Sequence, residues 1–443
     1  MRLAALWLCV SGPLPAQTVT TLFSFDGHDG VQPATGLVQG TDGNLYGTTQ
    51  ETIFKITPSG TLTTLSGGES MGALILATDG NFYGTSYSLN SVFKITPSGT
   101  LTTLYSFGSL PAPSGIFPAA ALVQAADGNF YGTTVYGGAN SCIFGGTDYG
   151  CGTIFKITPS GTLTTLYSFC SKSGCTDGET PGSALVQASN GNLYGTTPNG
   201  GANGDGTVFE IATAGTLTTL HSFCSKSGCA DGEFPEAALL QATDGNLYGT
   251  TVAGGANGGG TIFKITPSGT LTTFFSSTDG PRSLVQASDG NFYGTAGDTL
   301  FKITPSGTPT TLFSFDGTDC TSPTALVQDT SGIFYGTTIY GGIDNYHFCH
   351  GPGCGTVFSL AVGLGPFVKT EPASGEVGAA ISILGTDLTG ASSVSFNGMA
   401  AVFSVVSSSQ IAATVPAGAT TGKVHVVTPS GTLSSNVSFR VAP

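Results

Sequence analysis

The sequence predicts an all-β protein: a seven-bladed β-propeller closed by an N-terminal strand, followed by an immunoglobulin-like β-sandwich. The first observation is repetition. Seven copies of one unit centre on Tyr46, Tyr83, Tyr131, Tyr194, Tyr248, Tyr293 and Tyr335, each followed by Gly. Most are preceded by a turn such as Asp42-Gly43-Asn44, and a fixed unit at this period marks a solenoid, propeller or array. The second is composition. Only 9% of the 443 residues are charged, while 68 are Gly and 23 Pro, too few for a disordered low-complexity chain. The third is an unmatched strand before the first copy, which fits a gap in the last.

Within one copy, four strands can be read in order. Residues 237–242 (Ala-Ala-Leu-Leu-Gln-Ala) form strand A and Leu247-Tyr-Gly-Thr-Thr251 forms strand B. Thr261-Ile-Phe-Lys-Ile-Thr266 forms strand C and Thr270-Leu-Thr-Thr-Phe-Phe275 strand D. Asp-Gly between apolar runs is a hairpin signal, because the turn needs a positive φ that Gly adopts without steric cost. Pro267-Ser-Gly269 turns C into D. Strands A to C place apolar groups on both faces, so each small sheet must be covered on both sides. Radially packed four-stranded sheets do this.

The seventh copy has strands A, B and C (Thr356 to Val362) but no D, while Thr18 to Phe25 matches a D strand and precedes the first copy. Pairing the two closes the ring and leaves no open edge.

The turns of a copy differ in how far they vary. Gln39 to Tyr46 is seven residues, repeated in every copy, and Phe54 to Leu62 is eight, repeated in all six complete copies. The B-to-C distances instead run 8, 10, 24, 15, 15, 8 and 23. In a propeller the A–B and C–D turns share one face, so the B–C and D–A loops form a variable face, where binding or catalysis tends to sit.

All nine cysteines after Cys9 fall on that variable face. Their spacing predicts local disulfides Cys142–Cys151, Cys170–Cys175, Cys224–Cys229 and Cys349–Cys354, with Cys320 left over. His347, Cys349, His350 and Cys354 would suit zinc if the thiols were reduced, but in an exported protein a disulfide hairpin is the favoured reading. Acids on the same face, Asp177, Glu179, Asp231, Glu233 and Asp344, are candidate ligand-binding residues together with His347 and His350. Oxygen ligands from several loops could hold calcium, though Asp-Gly pairs are also ordinary turn formers. Gln39, Gln124, Gln187, Gln241, Gln286 and Gln328 recur at one strand A position, with Leu76 in the remaining copy. They read as buried amides bonded to neighbouring backbone, and the seven Tyr as side chains packed between sheets.

The N-terminus reads as an export signal over residues 1–16: Arg2, an apolar stretch from Leu3 to Val10, then Gly12-Pro13 and Ala16. A propeller over 17–363 and a sandwich over 364–443 follow. No later stretch reaches the length of a membrane span. A net charge of -14 with only 12 Lys and Arg argues against nucleic acid.

After Gly365 the pattern changes to short strands and turns: Pro372-Ala-Ser-Gly375, Gly385-Thr386, Val394-Ser-Phe-Asn-Gly398 and Ile411-Ala-Ala-Thr-Val-Pro416. This run closely resembles IPT/TIG domains, whose order of motifs it reproduces, and the resemblance implies an immunoglobulin-like module on an exported bacterial protein. The repeats, with Asp-Gly-Asn-Leu-Tyr-Gly-Thr-Thr and Phe-Lys-Ile-Thr-Pro-Ser-Gly-Thr-Leu, resemble the GloVer-type tandem repeats of exported bacterial proteins. That resemblance implies architecture and location, and no activity. A looser similarity to NHL-type propellers, streptogramin lyases among them, rests on the Asp-Gly-Asn-(Leu/Phe)-Tyr hairpin and transfers no catalytic residue.

No Gly-x-Ser-x-Gly elbow, His-Glu-x-x-His pair or phosphate loop occurs. The expectation is therefore a non-catalytic exported or cell-surface protein presenting its variable face to a glycan or protein. The alternative is a propeller lyase or hydrolase acting on a polysaccharide or lactone.

Overall fold

The computed structural model describes residues 17–67, 72–110, 112–316, 320–342 and 353–442. Two compact units partition the chain: Met1–Gly68 with Val285–Pro443, and Glu69–Leu284. Among the described residues the only helical elements are single turns at Ser173–Cys175 and Ser227–Cys229, so none is long and apolar enough to cross a membrane.

Six of the seven copies form antiparallel sheets of four sequential strands, A-B-C-D. In the seventh, Thr18–Ser24 takes the D position, pairing antiparallel with strand C, Thr356–Ala361, from Thr18↔Ala361 to Ser24↔Thr356. A further short strand, Cys320–Pro323, lies against the far end of strand B there.

Strand A is shorter than its sequence pattern predicts, typically two residues such as Leu240–Gln241. The backbone just before it is tied by side chains instead. The Thr85 hydroxyl donates to the Ala120 carbonyl at 2.9 Å, and that of Thr133 to the Ser183 carbonyl at 3.1 Å. In every described C–D pair the register slips by one residue of strand D, for example between Ile154 and Phe155, a bulge that increases local twist.

Strand B carries Gly after its Tyr because the sheet face leaves no room there. A Cβ on Gly47 would lie 2.6 Å from both Leu37 of strand A and Phe54 of strand C. The freed space lets those side chains meet, and the sheets then pack face on face. Tyr131 and Ile154 of the third sheet bury against Leu185, Leu193 and Phe209 of the fourth. Tyr194 and Val208 of the fourth bury against Leu239, Leu247 and Phe263 of the fifth. In the other unit Tyr293 packs with Leu326, Phe334 and Phe358, and Tyr335 with Leu37, Leu45 and Phe54.

The uniform turns lock this packing. Tyr hydroxyls donate to the turn aspartate four residues earlier: Tyr46 to Asp42 at 2.9 Å, Tyr83 to Asp79 at 2.9 Å and Tyr131 to Asp127 at 2.8 Å. A strand C lysine completes the set, as in Lys94–Asp79 at 2.8 Å and Lys156–Asp127 at 2.9 Å. The fourth copy moves the negative charge from the turn to strand C and has no cation there. Asn190 occupies the turn, and Glu210 of strand C accepts from Tyr194 at 2.7 Å and Asn192 at 2.6 Å. The recurrent glutamines clasp neighbours: Gln241 accepts from the Ser189 N–H of the preceding turn at 2.8 Å and donates to the Gly245 carbonyl of its own at 3.1 Å.

The C-terminal segment is a sandwich. One sheet holds Lys369–Glu371, Ala380–Leu384, Gln410–Thr414 and Phe403–Val405; the other holds Met399–Ala400, Ser393–Phe396, Val424–Thr428 and Gly431–Ser434. Ile381, Ile383, Val394, Phe396, Ile411, Val426 and Phe439 fill it. Within its unit it touches the uniform turns of the seventh and first copies. Phe367 N–H donates to the Thr330 carbonyl at 3.0 Å, the Thr386 and Thr330 hydroxyls lie 3.1 Å apart, and Ser409 donates to the Thr41 carbonyl at 2.7 Å. At the seventh copy the ionic pair is gone: Ser331 stands in the turn and Ser359 opposite Tyr335.

Candidate functional site

The B–C and D–A loops of the Glu69–Leu284 unit build its variable surface, and each is braced by the next copy. In three D–A loops the residue before a proline has a left-handed backbone: Phe117, Thr180 and Phe234, with φ of 58°, 55° and 55°. Side chains rarely adopt this conformation, so it persists where surroundings fix it. Their N–H groups donate backward to the B–C loop of the preceding copy: Phe117 to Asn90 Oδ1 at 2.7 Å, Thr180 to the Cys151 carbonyl at 2.8 Å and Phe234 to the Asp205 carbonyl at 3.0 Å. A single antiparallel bridge then joins each D–A loop to its own B–C loop, Ile116↔Tyr136, Glu179↔Asn199 and Glu233↔Ala253.

Disulfides Cys142–Cys151, Cys170–Cys175 and Cys224–Cys229 form as the spacing predicts, and Cys354 is disulfide-bonded too. Cys349, Asp344, His347 and His350 lie outside the described residues, as do the side chain of Cys320 and the N-terminal segment 1–16.

Two of the candidate ligand-binding residues, Asp177 and Asp231, hold the disulfide loops. Asp177 is fully buried and accepts from the Tyr167 hydroxyl at 2.7 Å, Ser171 N–H at 2.9 Å, the Ser171 hydroxyl at 2.9 Å and Lys172 N–H at 3.2 Å. Asp231 does the same with His221, Ser225 and Lys226. Their oxygens accept from the backbone and side chains of the disulfide loops. The Cys-Ser-Lys-Ser-Gly-Cys segment needs such an acceptor because its turn points backbone N–H groups inward.

Glu179 and Glu233 are half-buried. Burial raises the pKa of Glu179, whose carboxylate lies 3.3 Å from Cys142 Sγ. Ligand atoms of Cys142, Cys170, Cys175 and Glu179 fall within 4.8 Å of one another, but the sulfurs are oxidised and are not thiolate donors.

The aromatic residues of this face were not singled out from the sequence. Tyr87 stacks on Phe117 with ring centroids 4.6 Å apart; Phe117 meets Tyr136 edge-on at 6.2 Å; Tyr136 meets Phe144 at 5.6 Å and Tyr149 at 5.4 Å. Tyr87 and Phe144 are exposed, as is Ile143. Ile143–Phe144 pairs with Thr147–Asp148 in a small hairpin bracketed by the Cys142–Cys151 disulfide. The available signal was positional: Tyr136 occupies the bridge position that holds Asn199 and Ala253 in later copies.

Beside this row opens a cleft of about 410 Å³. Val135, Tyr136 and Phe144 line it from the third copy, Thr180, Ser183 and Asn199 from the fourth, and Glu236 from the loop entering the fifth. Asn199 donates to the Thr180 hydroxyl at 2.8 Å, and Ser183 shares a hydrogen bond with Thr196 at 2.8 Å, so these groups are held in place. Aromatic faces beside fixed hydroxyl and amide groups and an exposed carboxylate suit a ligand with both apolar and hydroxylated surfaces.

Comparison with solved structures shows the fold. A streptogramin B lyase matches over 78% of this chain and 97% of its own, with 16% identity and a TM-score of 0.55. A virginiamycin B lyase from Staphylococcus aureus matches over 78% and 99%, with 15% identity and a TM-score of 0.57. The extracellular domain of a hybrid two-component system from B. thetaiotaomicron matches over 94% of this chain and 56% of its own, with 11% identity and a TM-score of 0.52. At these identities the likeness is one of propeller architecture alone. No curated protein matches the sequence. The Gloeobacter/Verrucomicrobia repeat matches residues 13–144 and 141–358, and the IPT/TIG domain matches residues 368–441. With its repeats accounted for over most of its length, the chain belongs to the Gloeobacter/Verrucomicrobia repeat family and ends in an IPT/TIG domain.

Proposed function

We propose that this is an exported, non-catalytic binding protein, a closed seven-bladed propeller over residues 17–363 carrying an immunoglobulin-like module over 364–443, whose variable face takes an extracellular glycan. The observation that carries the reading is the aromatic row from Tyr87 to Phe144 beside the 410 Å³ cleft. Closure is supported by the pairing of Thr18–Ser24 with Thr356–Ala361. Export is supported by the disulfides, which persist in oxidising compartments. The cleft volume falls among small-molecule sites, whereas a stable protein partner needs about 800 Å² of surface from each side.

The test is thermal stability of the oxidised protein against a panel of bacterial and plant oligosaccharides, since a ligand of the native state raises Tm by mass action. A saturable rise with one glycan class is expected. A flat response to all would remove the glycan reading and turn the search to a protein partner. Turnover of a glycan that raises Tm would replace the binding reading with a propeller enzyme.

A further inference from the structure

Resting on that glycan-binding reading, we infer that the cleft between the third and fourth copies selects neutral oligosaccharides over uronate-containing ones, with Tyr136 and Phe144 as its stacking platform and Glu236 as the group that excludes acids.

Charge is the first argument. Among the described residues no lysine or arginine lines the cleft, and Glu236 stands exposed at its wall. The cations of these D–A loops, Lys172 and Lys226, sit at the strand D end, in the disulfide segments, whereas the cleft is lined from the strand A end by Thr180, Ser183 and Glu236. Elsewhere in the unit, Lys94, Lys156 and Lys264 are engaged by Asp79, Asp127 and Asp244 on the uniform turns. A uronate carboxylate in the cleft would therefore meet a like charge and no compensating cation.

Shape is the second. Tyr136 is fixed through the Ile116 bridge and by edge contacts to Phe117 and Phe144, and the hairpin bearing Phe144 is closed by a disulfide. Rigid aromatic faces favour the flat, C–H-rich faces of sugar rings, and little ordering cost is added on binding. The hydroxyls of such a ring donate to acceptors at the periphery, which Glu236 and the side-chain oxygen of Asn199 supply.

The test is calorimetric titration of the full oxidised chain with neutral glucan, xylan, mannan and galactan oligosaccharides and with oligogalacturonate of equal length. At least one neutral class is expected to bind and oligogalacturonate to bind about tenfold more weakly or not at all. Phe144→Ala and Tyr136→Ala are each expected to weaken neutral binding about tenfold, the scale of one aromatic contact. Phe144→Ser serves as a second variant, because Phe144 is exposed and the fold does not depend on it. Glu236→Gln is expected to narrow the gap between neutral and acidic ligands. Neutral binding untouched by all three aromatic variants, or a preference for oligogalacturonate, would overturn the inference while leaving glycan binding in place. Failure of every oligosaccharide to bind would remove both.

Discussion

His221 Nε2 stands 2.9 Å from Asp231 Oδ2, at the position where the preceding copy sets the Tyr167 hydroxyl 2.7 Å from Asp177. One loop design thus uses a titrating partner in one copy and a neutral one in the other. Burial holds the pKa of His221 below its ordinary value, against the pull of Asp231. Burial opposes ionisation of Asp231 as well, yet hydrogen bonds from Ser225 and His221 prevail and its pKa is lowered. The pKa of Tyr167 is pushed up to about 12, mainly by burial, so it stays neutral.

The sign for His221 follows from its lowered folded-state pKa. Its contribution is fully present above the unfolded value of about 6.5 and is lost as pH falls, because the unfolded chain takes up the proton first. His221→Tyr, the residue the neighbouring copy already carries, should flatten the decline in Tm between about pH 6.5 and 5. Thermal melts across that range check it, and an unchanged slope would refute the assignment.

Five copies place Asp in the uniform turn, but restoring it in the fourth should be harmful. Asn190 donates to Glu210 at 3.2 Å, so Asn190→Asp opposes two carboxylates. A loss of about 1 kcal/mol is expected in urea unfolding, and the double variant Asn190→Asp, Glu210→Lys should recover it by rebuilding the pair of the other copies.

Gln39 joins the first copy to the seventh: the buried Thr330 N–H donates to its Oε1 at 3.1 Å, and its amide donates to the Thr330 hydroxyl at 3.0 Å. Gln39→Leu, the residue type found as Leu76 in the second copy, leaves that N–H without its acceptor. Stability should fall by about 1–3 kcal/mol, read from denaturant midpoints at unchanged m-value.

Replacing Cys142 and Cys151 together by Ser should lower stability by about 2–3 kcal/mol through release of the unfolded chain. Limited proteolysis is expected to cut first within residues 143–150, where the hairpin has lost its clasp.

Legibility in the sequence followed the constraint on each residue. The seven Tyr, the glycines beside them and the constant turn lengths were readable because every copy must solve the same packing problem against its neighbour. The local disulfides were readable because five and nine residues of separation leave little choice of partner. That Asp177 and Asp231 hold the disulfide loops was not legible, since nothing in an Asp-Gly pair says which way the carboxylate turns. The aromatic row was missed for the opposite reason: Tyr87, Phe117, Tyr136 and Phe144 come from different loops and share no motif, and only the folded chain brings them together. Strand A appeared longer because its apolar run extends past the residues that pair.

Serine at positions 331 and 359 makes the seventh copy unlike its siblings where the C-terminal module rests. A permuted or duplicated chain that moved an ordinary copy to that berth would set an aspartate next to the turn residue that Phe367 and Thr386 contact, with a lysine across the sheet from its tyrosine. The copies are alike in architecture but not interchangeable, and the order in which they are strung is itself part of what the gene must preserve.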